Sequence, residues 1–195
     1  MAPTTPVPAL QVGAGYLFWA PLLTAEPTNT VTGSKFTDAW PSAWLSLGAT
    51  KDGATDKTST KIEAIEAAEF FDPLMYVTTG REGSLAASLM DYTMANFKRA
   101  MNGGTLTTVS GTGATTLTSF VPPVPGGEIR CMLGWESVDN TVRKIFYQCF
   151  QGGDMSQDYA KAPKNTVIPV EFKLEVPSSG IPWKMYTAGS ARVGT

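Results

Sequence analysis

Apolar and polar positions along this chain alternate more often than they recur at helical spacing. Residues 12–19 (VGAGYLFW) alternate loosely and predict a strand. A second strand is predicted over 43–50, and 51–57 (KDGATDK) reads as a charged, Gly-containing turn. Residues 76–79 form a short β-rich run that Gly80 turns into a second alternating run, 84–90. There Leu85, Ala87 and Leu89 face one way and Ser84, Ala86 and Ser88 the other, the pattern of a half-buried strand. One segment has helical spacing. Met94, Phe97 and Met101 fall at i, i+3 and i+7, after a start at Asp91 to Thr93 and before the stop Asn102, Gly103, Gly104. They predict a helix over about 92–102 whose apolar stripe packs on a sheet, with Lys98 and Arg99 placed to suit the helix dipole.

The second half is β-rich. Residues 105–120 hold one or two weak strands, and PPVPGG at 122–127 is a rigid linker or turn. A hairpin is expected from 129–137 and 142–151 around Asp139 and Asn140. If opposed residue numbers sum to 280, Cys131 faces Cys149, Leu133 faces Tyr147 and Trp135 faces Ile145, while Glu136 meets Lys144 on the other face. That register makes one face wholly apolar; a shift by one would set Lys144 against Trp135. A last strand is predicted over 167–176. Residues 1–11 and 177–195 read as terminal arms, and 21–44 as a long polar connection. Many strands and one helix predict a mainly β fold, a β-sandwich or barrel with one flanking α-helix, spanning 12–176 as a single domain.

Composition narrows the function. Charged residues are 16% of the chain, below the usual ~25%, which suits a protein that buries faces in an assembly and equally an ordinary Thr/Gly-rich β protein. A net charge of −2 argues against a dedicated nucleic-acid binder. The absence of histidine removes the commonest general base and metal ligand. Two cysteines 18 residues apart make neither a zinc site nor a disulfide framework and read as small buried thiols. GTGAT (111–115) and VGAG (12–15) lack the Lys-Ser/Thr of a phosphate loop. Glu63, Glu66, Glu69 and Asp72 lack the alternation of a calcium loop, leaving a solvated face or a channel lining. No catalytic, metal or cofactor site is expected. The start of the chain has neither a basic nor an apolar leader region, so no signal peptide is expected, and no apolar run approaches a membrane span.

Four segments, in their order and spacing, carry a resemblance: VGAGYLFWAPL (12–22), LGATKDGAT (47–55), IEAIEAAEFFDP (62–73) and VTTGREGSLAASLMDYTMANFKRAMNGG (77–104). Together they resemble the major tail tube protein of long-tailed bacteriophages, especially those of actinobacteria, over roughly residues 12–104. The resemblance implies a β-sandwich or barrel subunit that assembles with itself into stacked six-fold rings. Tape-measure and tail-tip proteins would be its partners, and genomic DNA would pass through without specific binding. It implies a virion tail protein, assembled in the host cytoplasm, with no enzymatic activity.

It also bears on residues 60–70. Thr60 with Glu63 can form a capping box, and IEAIEAAEF favours helix by propensity. The resemblance implies instead the returning strand of a long hairpin, and strand is the expectation because pairing often overrides propensity. In that picture 51–61 is a hairpin tip that stacks on the next ring through Lys51, Asp52, Gly53, Asp56 and Lys57. Ser84, Ala86 and Ser88, with some of Glu63, Glu66 and Glu69, would line the channel; the same Ser/Ala face could be an outer solvent face. The alternative function is a monomeric binding module, carbohydrate-binding or immunoglobulin-like, which five tryptophans and a β pattern also allow.

Overall fold

A computed structural model of the chain describes residues 14–66, 68–110, 116–157 and 166–189. The fold is mainly β, with one large antiparallel sheet and, among the described residues, a single short helix. In chain order the strands are β1 (Gly15–Pro21), β2 (Val31–Thr32), β3 (Lys35–Phe36), β4 (Leu45–Ser46), β5 (Thr50–Ile65) and β6 (Met75–Leu89). After helix α1 (Met94–Ala100) come β7 (Thr105–Ser110), β8 (Thr116–Val121), β9 (Cys131–Ser137), β10 (Val142–Gln151), β11 (Ile168–Leu174) and β12 (Trp183–Thr187).

The sheet runs β4-β1-β9-β10-β11-β6-β5, with β12 also on β10. Strand β10 forks: its first half pairs with β12 and its last residues with β11, both opposite β9. The two sheet edges are joined by residues 47–49. There Leu47 donates to the Leu17 carbonyl on one side, and Met90 donates to Ala49 on the other. The sheet therefore curls until β4 and β5 are consecutive in the chain. Inside the curl lie Leu17, Leu47, Leu85, Leu89, Cys131, Leu133, Phe146, Cys149, Ile168, Val170 and Phe172, with Ala100 of the helix.

The back of β1, β9 and β10 is buried too. Residues 22–44 form a strap across it, and Ala20, Trp44, Met132 and Ile145 make a second core with Trp40 and Phe18 stacked at 4.4 Å between ring centroids. Two charged clasps hold this strap. Fully buried Arg143 pairs with Glu136 at 2.9 Å, donates to the carbonyls of Thr28 and Asp38, and lies over the rings of Phe36 and Trp40. Glu26 accepts from the hydroxyls of Tyr147 and Tyr186, each at 2.7 Å, and from Lys184. Gly134 is required beneath the strap: a Cβ there would collide with the indole of Trp40. The connection read as polar from sequence is thus a packed cover.

Burial on both faces explains the one failure of register. Cys131 does oppose Cys149, but Phe146 opposes Leu133, Lys144 opposes Trp135 and Arg143 opposes Glu136. A β-bulge between Phe146 and Cys149 shifts the sum by one. It lets Phe146 and Cys149 share the inner core while Ile145 and Tyr147 face the strap. The pairing of Lys144 with Trp135, disfavoured from sequence, is the real one, and Lys144 is accommodated by an ion pair with Asp56 and by the Trp183 ring 4.0 Å away. With both faces apolar, a wholly apolar face no longer selects a register.

The helix is shorter than expected and faces differently. Thr93 caps it by accepting from the Asn96 amide. Its end is a Schellman turn in which Asn102, at φ 55°, is followed by Gly103, whose N–H reaches the Lys98 carbonyl. Asn102 also exchanges two hydrogen bonds with the backbone of Gln151, fixing the helix to β10. The fully buried residues are Asn96 and Ala100; of the expected Met94, Phe97, Met101 stripe, Phe97 packs against the inner core. Asn96 donates to the carbonyls of Leu47 and Asp91. Phe97 is half-buried and meets Phe120 of the β7–β8 hairpin edge-on at 5.1 Å, Met101 is half-buried, and Met94 is exposed.

The strand expected over 167–176 is present as β11, Ile168–Leu174. The stretch read as a C-terminal arm begins within the fold, since β12 is hydrogen-bonded to β10. The expected N-terminal arm, 1–11, lies outside the described residues, as does the end of the C-terminal one.

Candidate functional site

The longest pair of strands in the molecule is β5 with β6, and it outruns the sheet. Strand β11 covers β6 only from Ser84 to Leu89. Beyond that point β5 and β6 continue as a two-stranded ribbon to the pair Ile65 with Met75, next to a tip that includes Glu66 and residues 68–74. The strand expectation for 60–70 therefore holds as far as Ile65, and the capping box is not used. Within the described residues of the ribbon, Lys61 and Glu82 form a cross-strand ion pair at 2.7 Å, exposed to solvent.

This geometry moves the hairpin tip. Lys51, Asp52 and Gly53 do not form a turn; they bulge from β5 opposite Ser88, between the pairs Thr50 with Leu89 and Ala54 with Ala87. Gly53 takes a positive φ of 81° there, so the Gly read as a turn signal makes a bulge. Asp56 and Lys57 are ordinary strand residues, opposite Leu85 and Ser84, and Asp56 is engaged with Lys144. The tip instead carries Glu66, Glu69, Phe70, Phe71 and Asp72. Gly80 likewise is no turn: it sits in continuous strand beside a second bulge, between Lys61 and Ile62.

The expected Ser/Ala face is real as a face. Leu85 and Leu89 are buried in the core, and Ser84, Ala86 and Ser88 are half-buried on the opposite side. Their neighbours there are Lys57 and Thr55 on β5 and Pro169, Glu171 and Lys173 on β11. Alternation along β5 from Lys57 carries that face through Ser59 and Lys61 to Glu63. Glu63 thus shares the face with Ser84, whereas Glu66 and Glu69 lie past the end of the strand. The charges on this face are mixed, not uniformly acidic.

The feature that sequence reasoning missed is the apolar content of the bare ribbon. Ile62 with Thr78 and Ala64 with Tyr76 lie on one face; Glu63 with Val77 and Ile65 with Met75 lie on the other. Ile62, Tyr76, Ile65, Met75 and Val77 are all exposed, and nothing in the described chain covers either face. A two-stranded ribbon is marginal by itself in water, and exposed apolar surface of this kind marks a contact site. Strand β5 is also a sheet edge, so its outward N–H and C=O groups have no strand beside them. Apolar residues at both parities were visible in IEAIEAA and LMYV, but that pattern equally describes a strand buried on both sides.

Among the described residues no group of three or more His, Cys, Asp or Glu could hold a metal ion, and no helix is long and apolar enough to cross a membrane. Cys131 and Cys149 form no disulfide and are buried, with burial pushing the Cys131 thiol up to about 12 and Cys149 well above its ordinary value. Such thiols are poor nucleophiles. No protein-family model matches the chain, and no curated protein matches it in sequence.

Proposed function

We propose that this protein is a structural subunit that polymerises through its β5–β6 ribbon, in the manner of a phage tail tube protein. The observation that carries the reading is the ribbon: the outer part of a 16-residue edge strand, paired on one side only, with apolar side chains on both faces and no cover from its own chain among the described residues. Sheet edges of this length are normally blunted or paired, and a ring of subunits pairs them. The tail-tube resemblance of residues 12–104 supplies the kind of assembly, stacked rings around a channel.

On this reading Glu63, Ser84, Ala86 and Ser88 belong to one wall of the assembly, with small side chains leaving bore. Tape-measure and tail-tip proteins are its partners in the virion tail, DNA passes through, and the subunit catalyses nothing. Lys51, Asp52 and Gly53, as an edge bulge, help set which strand can dock beside β5.

Negative-stain electron microscopy with light scattering tests this. Rings or tubes that grow with protein concentration are expected. A monomer at every concentration and salt, including in the presence of tail-tip seeds, would instead favour a binding module.

A further inference from the structure

We infer that in the free subunit the edge of β5 pairs antiparallel with the β5 edge of a second copy, centred on Thr60. The inference rests on the reading of β5 as a contact edge and names the partner that edge takes before any ring forms. From Lys57 to Glu63 every residue of β5 is exposed, and the pairing of β11 with β6 ends at Ser84. The outward backbone groups of this stretch have no strand beside them among the described residues. Such a row of unmet donors and acceptors is a template for another strand.

Charge selects the partner strand and its register. Lys57, Ser59, Lys61 and Glu63 share one face of β5. Two copies related by a twofold axis oppose residues of the same face, so opposed residue numbers have an even sum. A sum of 120 sets Lys57 opposite Glu63 and Ser59 opposite Lys61, each twice, with Thr60 opposite its own copy on the other face. Among the described residues Lys57 and Glu63 form no ion pair, so both are available, and the pair of Lys61 with Glu82 is left intact. Neighbouring registers fail. Sums of 118 and 122 set Lys61 against Lys57 and against itself, and 126 sets Glu63 against itself; like charges directly opposed destabilise. A sum of 116 makes no ion pair, and 124 takes Lys61 from Glu82. The chosen register joins the two ribbons into four strands, β6-β5-β5-β6, with Ile62 and Tyr76 of both copies on one face. A sheet of three or more strands with an apolar face is stable in water where a lone ribbon is marginal. The contact is isologous and closes on itself, so it withholds the edge from a ring until the dimer opens.

Sedimentation and thiol cross-linking test this. A dimer is expected at concentrations below those at which rings grow. Thr60→Cys subunits treated with a short thiol-to-thiol cross-linker should give at least tenfold more covalent dimer than Ile65→Cys, whose two copies stand roughly 34 Å apart in this register. The native thiols are buried and do not compete. Lys57→Glu should raise the dimer dissociation constant at least tenfold, and adding Glu63→Lys should restore it, a rescue that damage to folding does not produce. A cross-link at Ile62→Cys in place of Thr60→Cys, or a Lys57→Glu dimer as tight as wild type, would overturn the pairing. Rings that grow from monomers with no dimer would overturn the pairing and leave the assembly reading standing. A dimer that never grows would do the reverse, and a monomer at every concentration would overturn both.

Discussion

Two long antiparallel hairpins in this protein have opposite environments. In β9–β10 no residue is exposed, one face lying in the inner core and the other under the 22–44 strap. In the outer half of β5–β6 nearly every residue is exposed. Each contains a cross-strand ion pair, Glu136 with Arg143 and Lys61 with Glu82. The first is the centre of a network that reaches Thr28, Asn29, Asp38, Phe36 and Trp40; the second touches water. Burial, not strand pairing, decides which hairpin the fold depends on.

The largest expected effect comes from the buried pair. Arg143→Ala leaves Glu136 uncompensated beneath the strap and should cost about 3–5 kcal/mol in urea denaturation. Lys61→Ala should leave the midpoint unchanged, since its pair is solvent-exposed. Equal effects would erase the contrast between the hairpins.

Gly134→Ala comes next. It should destabilise by about 1–3 kcal/mol, the range for overpacking, because Trp40 must move off β9. Tryptophan fluorescence that shifts to the red in this variant but not in Gly80→Ala would locate the damage at the strap, since Gly80 has only the flexible Lys61 side chain nearby.

The other clasp titrates. Partial burial raises the Glu26 carboxyl, but the Tyr147 and Tyr186 hydroxyls and Lys184 outweigh it and hold the pKa below its ordinary value. Its contribution is therefore present above the ordinary carboxylate range and lost as pH falls through the folded value. Burial, then the bond to Glu26, pushes Tyr186 up to about 12, and Tyr147 rises for the same causes. Their contribution is complete below the ordinary tyrosine pKa of about 10 and lost as pH rises through the folded values. Thermal melts across pH should fall off at both ends; Glu26→Gln should remove the acid arm and shrink the alkaline one only in part, since burial of the two tyrosines remains.

The smallest stability effect is expected on the ribbon. Replacing Ile62 and Tyr76 with Ser should change unfolding free energy within about 0.5 kcal/mol, because both are exposed. Assembly in light scattering should weaken sharply. A stability loss as large as that of Gly134→Ala would mean that the ribbon packs on its own domain.

The mainly β class, the Thr93 start and Asn102 stop of the helix, the Asp139/Asn140 turn and the Leu85/Leu89 face were legible because local rules decide them. Caps, turns and single-faced alternation each act over a few residues. The pairing of Cys131 with Cys149 was legible for the same reason, being part of a strongly apolar hairpin. Tertiary structure alone decided the consequences of a second layer. The strap gave β9–β10 two buried faces, so the bulge and the Glu136–Arg143 pair could not be inferred from an apolar face. The pairing of β11 with β6 stops at Ser84, so β5–β6 projects and its tip carries residues 68–74, not the charged, Gly-containing 51–57. A chain can mark where it turns or alternates, but how many faces of a strand are covered depends on segments far away in sequence.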